Sequence, residues 1–185
     1  SHKLVYKRSR RGNAEIDRVT EHVMSHFLKN YHVNDYAPLF SDERQYCSPG
    51  FTLPVGLLSR VWLEKREVKG FPEYHTSLDN LSIISGSALS ESLNLFYKII
   101  NALELNRTYV NQRMFCEPKL SKYNLFSTLG SNRHAAEDTE KTLWTLNYSD
   151  GENDLLSIAE KLSAPIWDME RSVQRLLEAG LIKPQ

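Results

Sequence analysis

Apolar residues follow two different periods in the first 105 residues. Near the start of the chain they alternate with polar residues, which is the pattern of a half-buried strand. Further on they recur every three or four positions, as Ile16, Val19 and Val23 do, and this spacing predicts a helix. Alternating strands and helices predict an α/β layer. The predicted elements are a strand over 2–9, a helix over 14–29, strands within 31–40 and 55–62, loops over 41–50 and 64–80, and an amphipathic helix over 87–105.

The last third of the chain has a different pattern, made of short helices. Helices are predicted over 138–148 and 155–162, and a third begins near residue 164 and ends at Gly180. A short strand at 181–182 follows. Three helices and a tight turn predict an all-α winged-helix module. The predicted domains are an α/β domain over 1–110, a linker over 111–137 with one short helix near 123–129, and the winged-helix module over 138–185.

Composition excludes several classes of protein. Of the 185 residues, 41% are hydrophobic and 25% are charged, as in ordinary globular domains, and the formal net charge is zero. A neutral chain has no overall field that would attract nucleic acid or an anionic membrane. No apolar run is long enough to cross a bilayer, and no secretory signal opens the chain. We therefore expect no membrane partner. Two cysteines do not form a disulfide framework, which is typical of a reducing compartment, so we expect a cytoplasmic protein.

Two polar segments carry side chains that could perform chemistry. In the loop 41–50, Arg44 could hold a carboxylate through a two-pronged contact, and Tyr46 could donate a hydrogen bond to an oxyanion. Downstream, His75 is a candidate metal ligand, and Asp79 is close enough in sequence to orient the imidazole ring. Residue types alone favour solvated loops at both places, because no second His or Cys lies near His75 at ligand spacing.

Charged residues are distributed unevenly along the chain. The basic run 7–11 could contact phosphate or an acidic partner, although such runs are more often solvated edges. Residues 131–185 contain six Lys or Arg and ten Asp or Glu, which gives this region a net charge of −4. Because a phosphate backbone repels an acidic module, we expect the winged helix to bind a protein partner or to join subunits of a homo-oligomer, and not to bind nucleic acid.

Several motifs resemble those of a known bacterial family. They are DERQYCSPG at 42–50, LPVG at 53–56, EYHTSLDN at 73–80, YKRSRRG at 6–12, and LNYSDG at 146–151 followed by LLSIA at 155–159. Together they resemble a group of aminopeptidase-like proteins that is often associated with polysaccharide biosynthesis. The resemblance covers essentially the whole chain. It implies that this chain is the C-terminal portion of a zinc-exopeptidase-like, three-layer α/β domain, followed by a winged helix.

The resemblance also implies roles for individual residues. The wider relatives are zinc exopeptidases of the aminopeptidase and glutamate carboxypeptidase type, in which a Tyr-His-Thr segment supplies the last metal ligand. A Ser-Asp loop upstream lines their substrate site. The roles that follow from the resemblance are a metal ligand for His75, a partner that orients it for Asp79, and substrate binding for Ser41 and Asp42. The residue types of the same loop add our expectations of substrate binding by Glu43 and of catalytic contacts from Arg44 and Tyr46.

The remaining zinc ligands should lie upstream of this chain, because no His-x-Asp or Glu-Glu pair here replaces them. A catalytic zinc site requires about three protein ligands and one open position, so we expect the chain alone to be inactive and to bind zinc weakly or not at all. The predicted function is part of a zinc-dependent, aminopeptidase-like hydrolase acting on a small amide or peptide substrate. The alternatives are a non-catalytic scaffold or protein-interaction module and, less favoured, a DNA-binding regulator.

Overall fold

The computed structural model describes residues 3–39, 41–60, 62–64, 67–69, 72–125 and 133–185. Contacts divide the chain into two compact units, Ser1–Leu103 and Glu104–Gln185. The elements that begin in the first unit are β1 (Leu4–Lys7), α1 (Glu15–Phe27), β2 (Tyr31–Asn34), α2 (Glu43–Tyr46), β3 (Leu57–Ser59), β4 (Trp62–Glu64), β5 (Glu67–Lys69), a 3-10 helix (Leu81–Ile83) and α3 (Gly86–Leu105).

Strand β1 is the centre of a three-stranded mixed sheet with the order β2-β1-β3. It pairs with β2 in parallel and with β3 in antiparallel orientation. Its first three residues are all buried, as in a strand that is covered on both faces. Helix α1 buries Val19 and Val23 completely, as their spacing predicts. The α/β class of this unit is therefore confirmed.

Asp17 is a fully buried carboxylate that joins β1 to α1. Its Oδ1 accepts hydrogen bonds from the Tyr6 hydroxyl at 2.8 Å and from the Ser9 amide at 2.7 Å. Its Oδ2 accepts from Ser9 Oγ at 2.6 Å and from the Ala14 amide at 3.0 Å, which closes the first turn of the helix. Burial raises the pKa of Tyr6, and the hydrogen bond to Asp17 raises it further. Four donors thus stabilise one buried charge.

The predicted loop over 64–80 contains regular structure. Strands β4 and β5 form a two-stranded antiparallel sheet in which Leu63 lies opposite Val68. The predicted strand at 55–62 is divided between β3, which pairs with β1, and β4, which pairs with β5. Strands of three residues give too short a pattern for alternation to reveal them, and their partners determine whether they form.

The second unit combines helices with a sheet. Its described strands β6 (Thr108–Asn111), β7 (Asp150–Asp154) and β8 (Ile182–Pro184) form an antiparallel sheet with the order β7-β6-β8, so the expectation of an all-α module is wrong. Strand β6 ends at the first residue of the predicted linker 111–137, and a 3-10 helix at Leu120–Tyr123 lies inside it. Both elements belong to the second compact unit. Most of the short helix predicted near 123–129 lies outside the described residues. The remaining elements are α4 (Arg133–Tyr148), α5 (Leu155–Lys161), a 3-10 helix (Ile166–Met169) and α6 (Glu170–Glu178).

Polar side chains fix the start of α5 in the winged-helix core. Asp154 Oδ1 accepts a hydrogen bond from the Ser157 amide at 2.8 Å and acts as the helix cap. Asn106 Oδ1 accepts from the Leu156 amide at 2.9 Å, so the beginning of the unit satisfies another free donor of the same helix. Helices α5 and α6 bury Leu156 and Leu176 fully. Among the described helices, none is both long and apolar enough to span a membrane.

Candidate active-site segments and the contacts that hold them

The segment that contains His75 is a series of tight turns. The Thr76 amide and hydroxyl both donate to the Glu73 carbonyl, at 3.0 and 2.7 Å, and the Asp79 amide donates to the Thr76 carbonyl at 3.2 Å. The Asn80 side chain then accepts from the Ser82 amide at 2.9 Å and caps the following 3-10 helix. Short-range hydrogen bonds therefore determine the path of the backbone around His75.

His75 occupies a left-handed backbone conformation, with φ of 61°. A non-glycine residue in this region is uncommon, although histidine adopts it more readily than most residues do. The imidazole is exposed and stacks on Tyr74, with ring centroids 3.9 Å apart and planes inclined by 20°. Stacking fixes the ring beside its neighbour, and no hydrogen bond joins His75 to Asp79 within the described chain. Both side chains are exposed.

Helix α2 is a single turn within the predicted loop 41–50. The Asp42 carbonyl accepts from the Gln45 amide at 2.8 Å, and the Glu43 carbonyl accepts from the Cys47 amide at 2.8 Å. The side chains of Asp42, Arg44 and Tyr46 are exposed, while Ser41 is half-buried. No ion pair or side-chain hydrogen bond of Ser41, Asp42, Arg44 or Tyr46 occurs in the described residues, so these side chains are available to a ligand.

Glu43 points in the other direction and is buried. Its Oε1 forms an ion pair with Lys7 Nζ, and its Oε2 is a buried oxygen with no hydrogen-bond partner. Lys7 Nζ also donates to the Ala37 carbonyl at 3.2 Å and to the Leu39 carbonyl at 2.5 Å. Glu43 was predicted to bind substrate, but its carboxylate is buried and holds α2 against β1 through Lys7.

The basic run 7–11 bonds to the same loop from two further positions. Arg10 Nη1 donates to the Cys47 carbonyl at 3.4 Å, and Arg11 Nη2 donates to the Thr52 carbonyl at 2.9 Å. Cys47 is itself fully buried, and its thiol lies 3.3 Å from the carbonyl oxygens of Leu53 and Val55. Cations that could have contacted phosphate thus fix the loop that follows α2. The sequence shows that positive charge is concentrated at 7–11, but it does not indicate what these side chains contact. Their acceptors are main-chain carbonyl groups about 40 residues away.

Arg8 lies in the same run but serves another contact. Its guanidinium bonds both carboxylate oxygens of Glu21, at 2.6 and 2.7 Å, and it reaches Asp35 at 2.7 Å. These hydrogen bonds, to Glu21 first and to Asp35 second, raise the pKa of Arg8. Because a two-pronged pair has a defined geometry, Arg8 connects α1 to the segment that follows β2.

The two candidate segments remain separate in their side-chain contacts. No hydrogen bond, ion pair or ring contact in the described part of the chain joins Ser41, Asp42, Arg44 or Tyr46 to His75 or Asp79. Among all the residues that the structure describes, no group of three or more His, Cys, Asp or Glu side chains is arranged to hold a metal ion. His75 would therefore need ligands from elsewhere to form a zinc site.

A cleft of about 170 Å³ lies within the second unit. Its lining includes Asn111 and Met114, together with Leu143 and Asn147 of α4. None of the residues with a predicted catalytic or metal-binding role contributes to its walls. The cleft therefore belongs to the winged-helix unit and adds no group to either candidate segment.

Comparison with known proteins identifies both parts of the chain. Residues 1–106 match the family described as Domain of unknown function (DUF4910), and residues 107–184 match a family described as winged helix-turn-helix. A Clostridium acetobutylicum protein named "Putative polysaccharide biosynthesis protein with aminopeptidase-like domain" is 39% identical over 178 residues, which cover 96% of this chain and 40% of that protein. These matches confirm the predicted resemblance to aminopeptidase-like proteins associated with polysaccharide biosynthesis, and they confirm the predicted winged helix.

A solved structure from the same organism, described as a "putative peptidase", matches with a TM-score of 0.82 and 37% identity. The match covers 98% of this chain and 39% of that chain, so the chain spans about two fifths of the length of these relatives. The division of the two family matches lies close to the division between the compact units. The chain belongs to the family described as Domain of unknown function (DUF4910), here joined to a winged helix-turn-helix unit.

Proposed function

We propose that this chain is part of an aminopeptidase-like hydrolase of amide or peptide bonds, with a zinc-exopeptidase-like, three-layer domain. The observation that carries the proposal is the likeness over nearly the whole chain to a relative with an aminopeptidase-like domain and to a structure described as a putative peptidase. The exposed imidazole of His75, held by a hydrogen-bonded turn, supports a role as one metal ligand.

The groups available on α2 support a substrate-binding role. Asp42, Arg44 and Tyr46 project from one helical turn that Lys7 and the buried carboxylate of Glu43 hold in place. Arg44 would hold a substrate carboxylate through paired hydrogen bonds, and Tyr46 would donate to a carbonyl oxygen that gains negative charge. Ser41 and Asp42 would contact the remainder of the substrate. Glu43 is left out of this set because its ion pair occupies it within the fold.

Zinc does not fit the residues of this chain alone. His75 has no second ligand among the described residues, and Asp79 does not contact it. We therefore expect calorimetry on the 185-residue chain to detect weak zinc binding or none. Tight, stoichiometric binding that His75→Ala abolishes would contradict this expectation.

The decisive experiment uses the longest natural polypeptide that carries this sequence. Metal analysis should find bound zinc, and assays with aminoacyl amides and dipeptides should detect hydrolysis. His75→Ala should abolish both, whereas His32→Ala, which removes an exposed histidine on β2, should leave both unchanged. A folded, full-length protein that contains no zinc and hydrolyses none of these substrates would refute the proposed function.

For the winged-helix unit we propose a role in protein contacts. Three of its cations are engaged within the unit: Lys141 pairs with Asp168 at 3.3 Å, Arg171 pairs with Asp138 at 3.0 Å, and Arg175 donates to a main-chain carbonyl at 2.7 Å. Together with the net charge of −4 over residues 131–185, this arrangement opposes binding to a phosphate backbone. Gel-shift assays at low salt should show no DNA binding, and a salt-sensitive shift would contradict the proposal.

A further inference from the structure

The cleft of about 170 Å³ in the winged-helix unit is lined by residues from the end of β6, from the segment that follows this strand and from α4. Asn111 connects these parts of the wall. Its Nδ2 donates to the Leu146 carbonyl at 3.0 Å, and its Oδ1 accepts from the Arg113 amide at 2.7 Å. Its main-chain amide donates to the Ser149 carbonyl at 2.6 Å. These bonds fix the strand, the segment and the helix relative to one another, so the cleft is formed before any ligand binds.

Two opposite charges line the cleft without neutralising each other. Arg113 and Glu117 both contribute to its lining, and both are exposed. Within the described residues, neither side chain forms an ion pair or a hydrogen bond. Lys141, Arg171 and Arg175 differ from Arg113, because each of them is engaged within the unit. The guanidinium and the carboxylate of the cleft are therefore both available to a ligand that carries one charge of each sign.

The rest of the lining adds a carboxamide and a small apolar surface. The Asn147 side chain has both donors and an acceptor, it is exposed, and it forms no hydrogen bond within the part of the chain that the structure describes. Met114 and Leu143 contribute apolar atoms to the same lining. A ligand in the cleft would therefore meet two opposite charges, a carboxamide and two apolar side chains.

The size of the cleft limits the class of ligand. A cavity of about 150 Å³ holds a molecule the size of benzene, so this cleft has room for roughly six to eight non-hydrogen atoms. Drug-sized ligands occupy pockets of about 300–1,000 Å³, which excludes nucleotides and long peptides as molecules that the cleft could enclose. A simple anion would face the carboxylate of Glu117, and a simple amine would face the guanidinium of Arg113, so both are disfavoured. Small α-amino acids such as alanine, serine and valine satisfy both the size and the charges.

We propose that this cleft is a binding site for a small free α-amino acid in its zwitterionic form. Arg113 would bind the carboxylate through paired donors, Glu117 would accept from the ammonium group, and Asn147 would hydrogen-bond to the same two groups. Met114 and Leu143 would contact the side chain of the ligand, which favours alanine and valine over charged amino acids. A free amino acid is also what the proposed hydrolase would release, although the charges of the cleft indicate this ligand whether or not the hydrolase activity exists.

Nuclear magnetic resonance titration of the isotope-labelled, whole chain tests this inference. L-alanine and L-valine should cause saturable shifts of the amide signals of Arg113, Met114 and Asn147, with a dissociation constant of about 1 mM or below. Propionate and ethylamine each keep one of the two charges of alanine. Both should bind about tenfold or more weakly, because each leaves one charge of the cleft without its partner.

Arg113→Gln and Glu117→Gln should each weaken the binding of alanine by about tenfold or more. Lys119→Gln and Glu152→Gln are the matched controls, because they remove the same charges from exposed positions of the same unit that do not line the cleft. These controls should leave the dissociation constant unchanged. All four positions are exposed, so circular dichroism spectra and urea midpoints should equal those of the parent chain.

Four results would overturn the inference. They are the absence of saturable shifts with any small amino acid, binding of propionate as tight as that of alanine, binding that Arg113→Gln or Glu117→Gln leaves unchanged, and shifts centred on residues 41–46 instead of on the cleft. Zinc and peptide hydrolysis enter none of these measurements, so the proposed function and this inference can fail separately.

Discussion

The ion pair between Lys7 and Glu43 provides the sharpest test of how the loop around α2 is held. Only 11% of the Lys7 side chain and 2% of the Glu43 side chain are exposed. Lys7→Met keeps most of the aliphatic stem and removes the ammonium group. The Glu43 carboxylate would then be buried with neither oxygen bonded, since Oε2 already has no partner. The carbonyls of Ala37 and Leu39 would lose the same donor.

The magnitude follows from the cost of an uncompensated buried charge. Removing one partner of a buried ion pair typically costs about 3–5 kcal/mol, whereas replacing both partners by apolar residues is often nearly neutral. We therefore expect Lys7→Met to lower the free energy of unfolding of the first unit by about 3 kcal/mol. The double variant Lys7→Met with Glu43→Met should recover about 2 kcal/mol of that loss. Measuring the single variant Glu43→Met as well completes the double-mutant cycle, which gives the coupling energy between the two side chains.

Hydrogen exchange read by mass spectrometry suits a chain of two units. Amides of β1 and α1 report the stability of the first unit, while amides of α5 and α6 provide an internal reference in the second. Arg44→Met is the matched control, because it also replaces a cation by methionine, at an exposed position of α2 next to Glu43. We expect it to change the free energy of unfolding by less than about 0.5 kcal/mol.

Two results would refute this reasoning. The first is a Lys7→Met variant as stable as the parent chain, which would mean that the carboxylate finds another partner or water. The second is a double variant whose loss equals the sum of the two single losses, which would mean that Lys7 and Glu43 do not stabilise each other. In either case Glu43 would be free of a structural role, and its predicted contact with substrate would regain support.

Three further predictions concern the first unit. Asp17→Ala should lower its free energy of unfolding by roughly 2–5 kcal/mol, because buried donors of Tyr6 and Ser9 lose their acceptor, and a loss under 1 kcal/mol in urea titration would argue against this. Gly56→Ala should cost about 2 kcal/mol or more, since its Cβ would overlap the hydroxyl and ring of the buried Tyr6, and an unchanged urea midpoint would show that the ring moves freely. Burial, with smaller effects of nearby cationic groups, lowers the pKa of His22 to about 4, below its unfolded value of about 6.5. The unfolded chain then binds the proton first, so stability that is complete above pH 6.5 should fall by up to roughly 3 kcal/mol as the pH is lowered to 4, and His22→Gln should flatten that pH profile.

The sequence predicts the helices well because their cores lie on one side of a repeating pattern. Helix α3 was expected over 87–105 and occupies Gly86–Leu105, and the third winged-helix element ends next to Gly180 as predicted. The pattern could not reveal that α3 is apolar on two faces, of which one buries Leu95 and Ile99 and the other leaves Leu93 and Ile100 exposed. Hydrophobic spacing identifies surfaces that avoid water, and it contains no information about which polypeptide covers each surface.

The strands of the winged-helix unit show the opposite limit. Strand β7 has the sequence Asp-Gly-Glu-Asn-Asp, which has low strand propensity and was interpreted as a break between helices. It forms because Thr108 and Val110 of β6 pair with it from about 40 residues away. Strand β6 itself has four residues and lies beside the region interpreted as a linker. Where the partner determines the structure, local pattern is a weak guide.

Glu43 shows why the candidate site was only partly predictable. Neighbouring residues on a helical turn point about 100° apart, so only one or two side chains of α2 can face the interior. Residue type does not identify Glu43 as the buried one, because Asp42 and Arg44 beside it are also charged and charged residues are rarely buried without a partner. The partner is Lys7, which lies 36 positions earlier in a run interpreted as solvent-facing. Only the pairing of β1 with its neighbours brings Lys7 to this loop. The direction of a carboxylate in a short loop therefore depends on tertiary structure, and the same holds for His75, whose ligand role requires residues beyond its own turn.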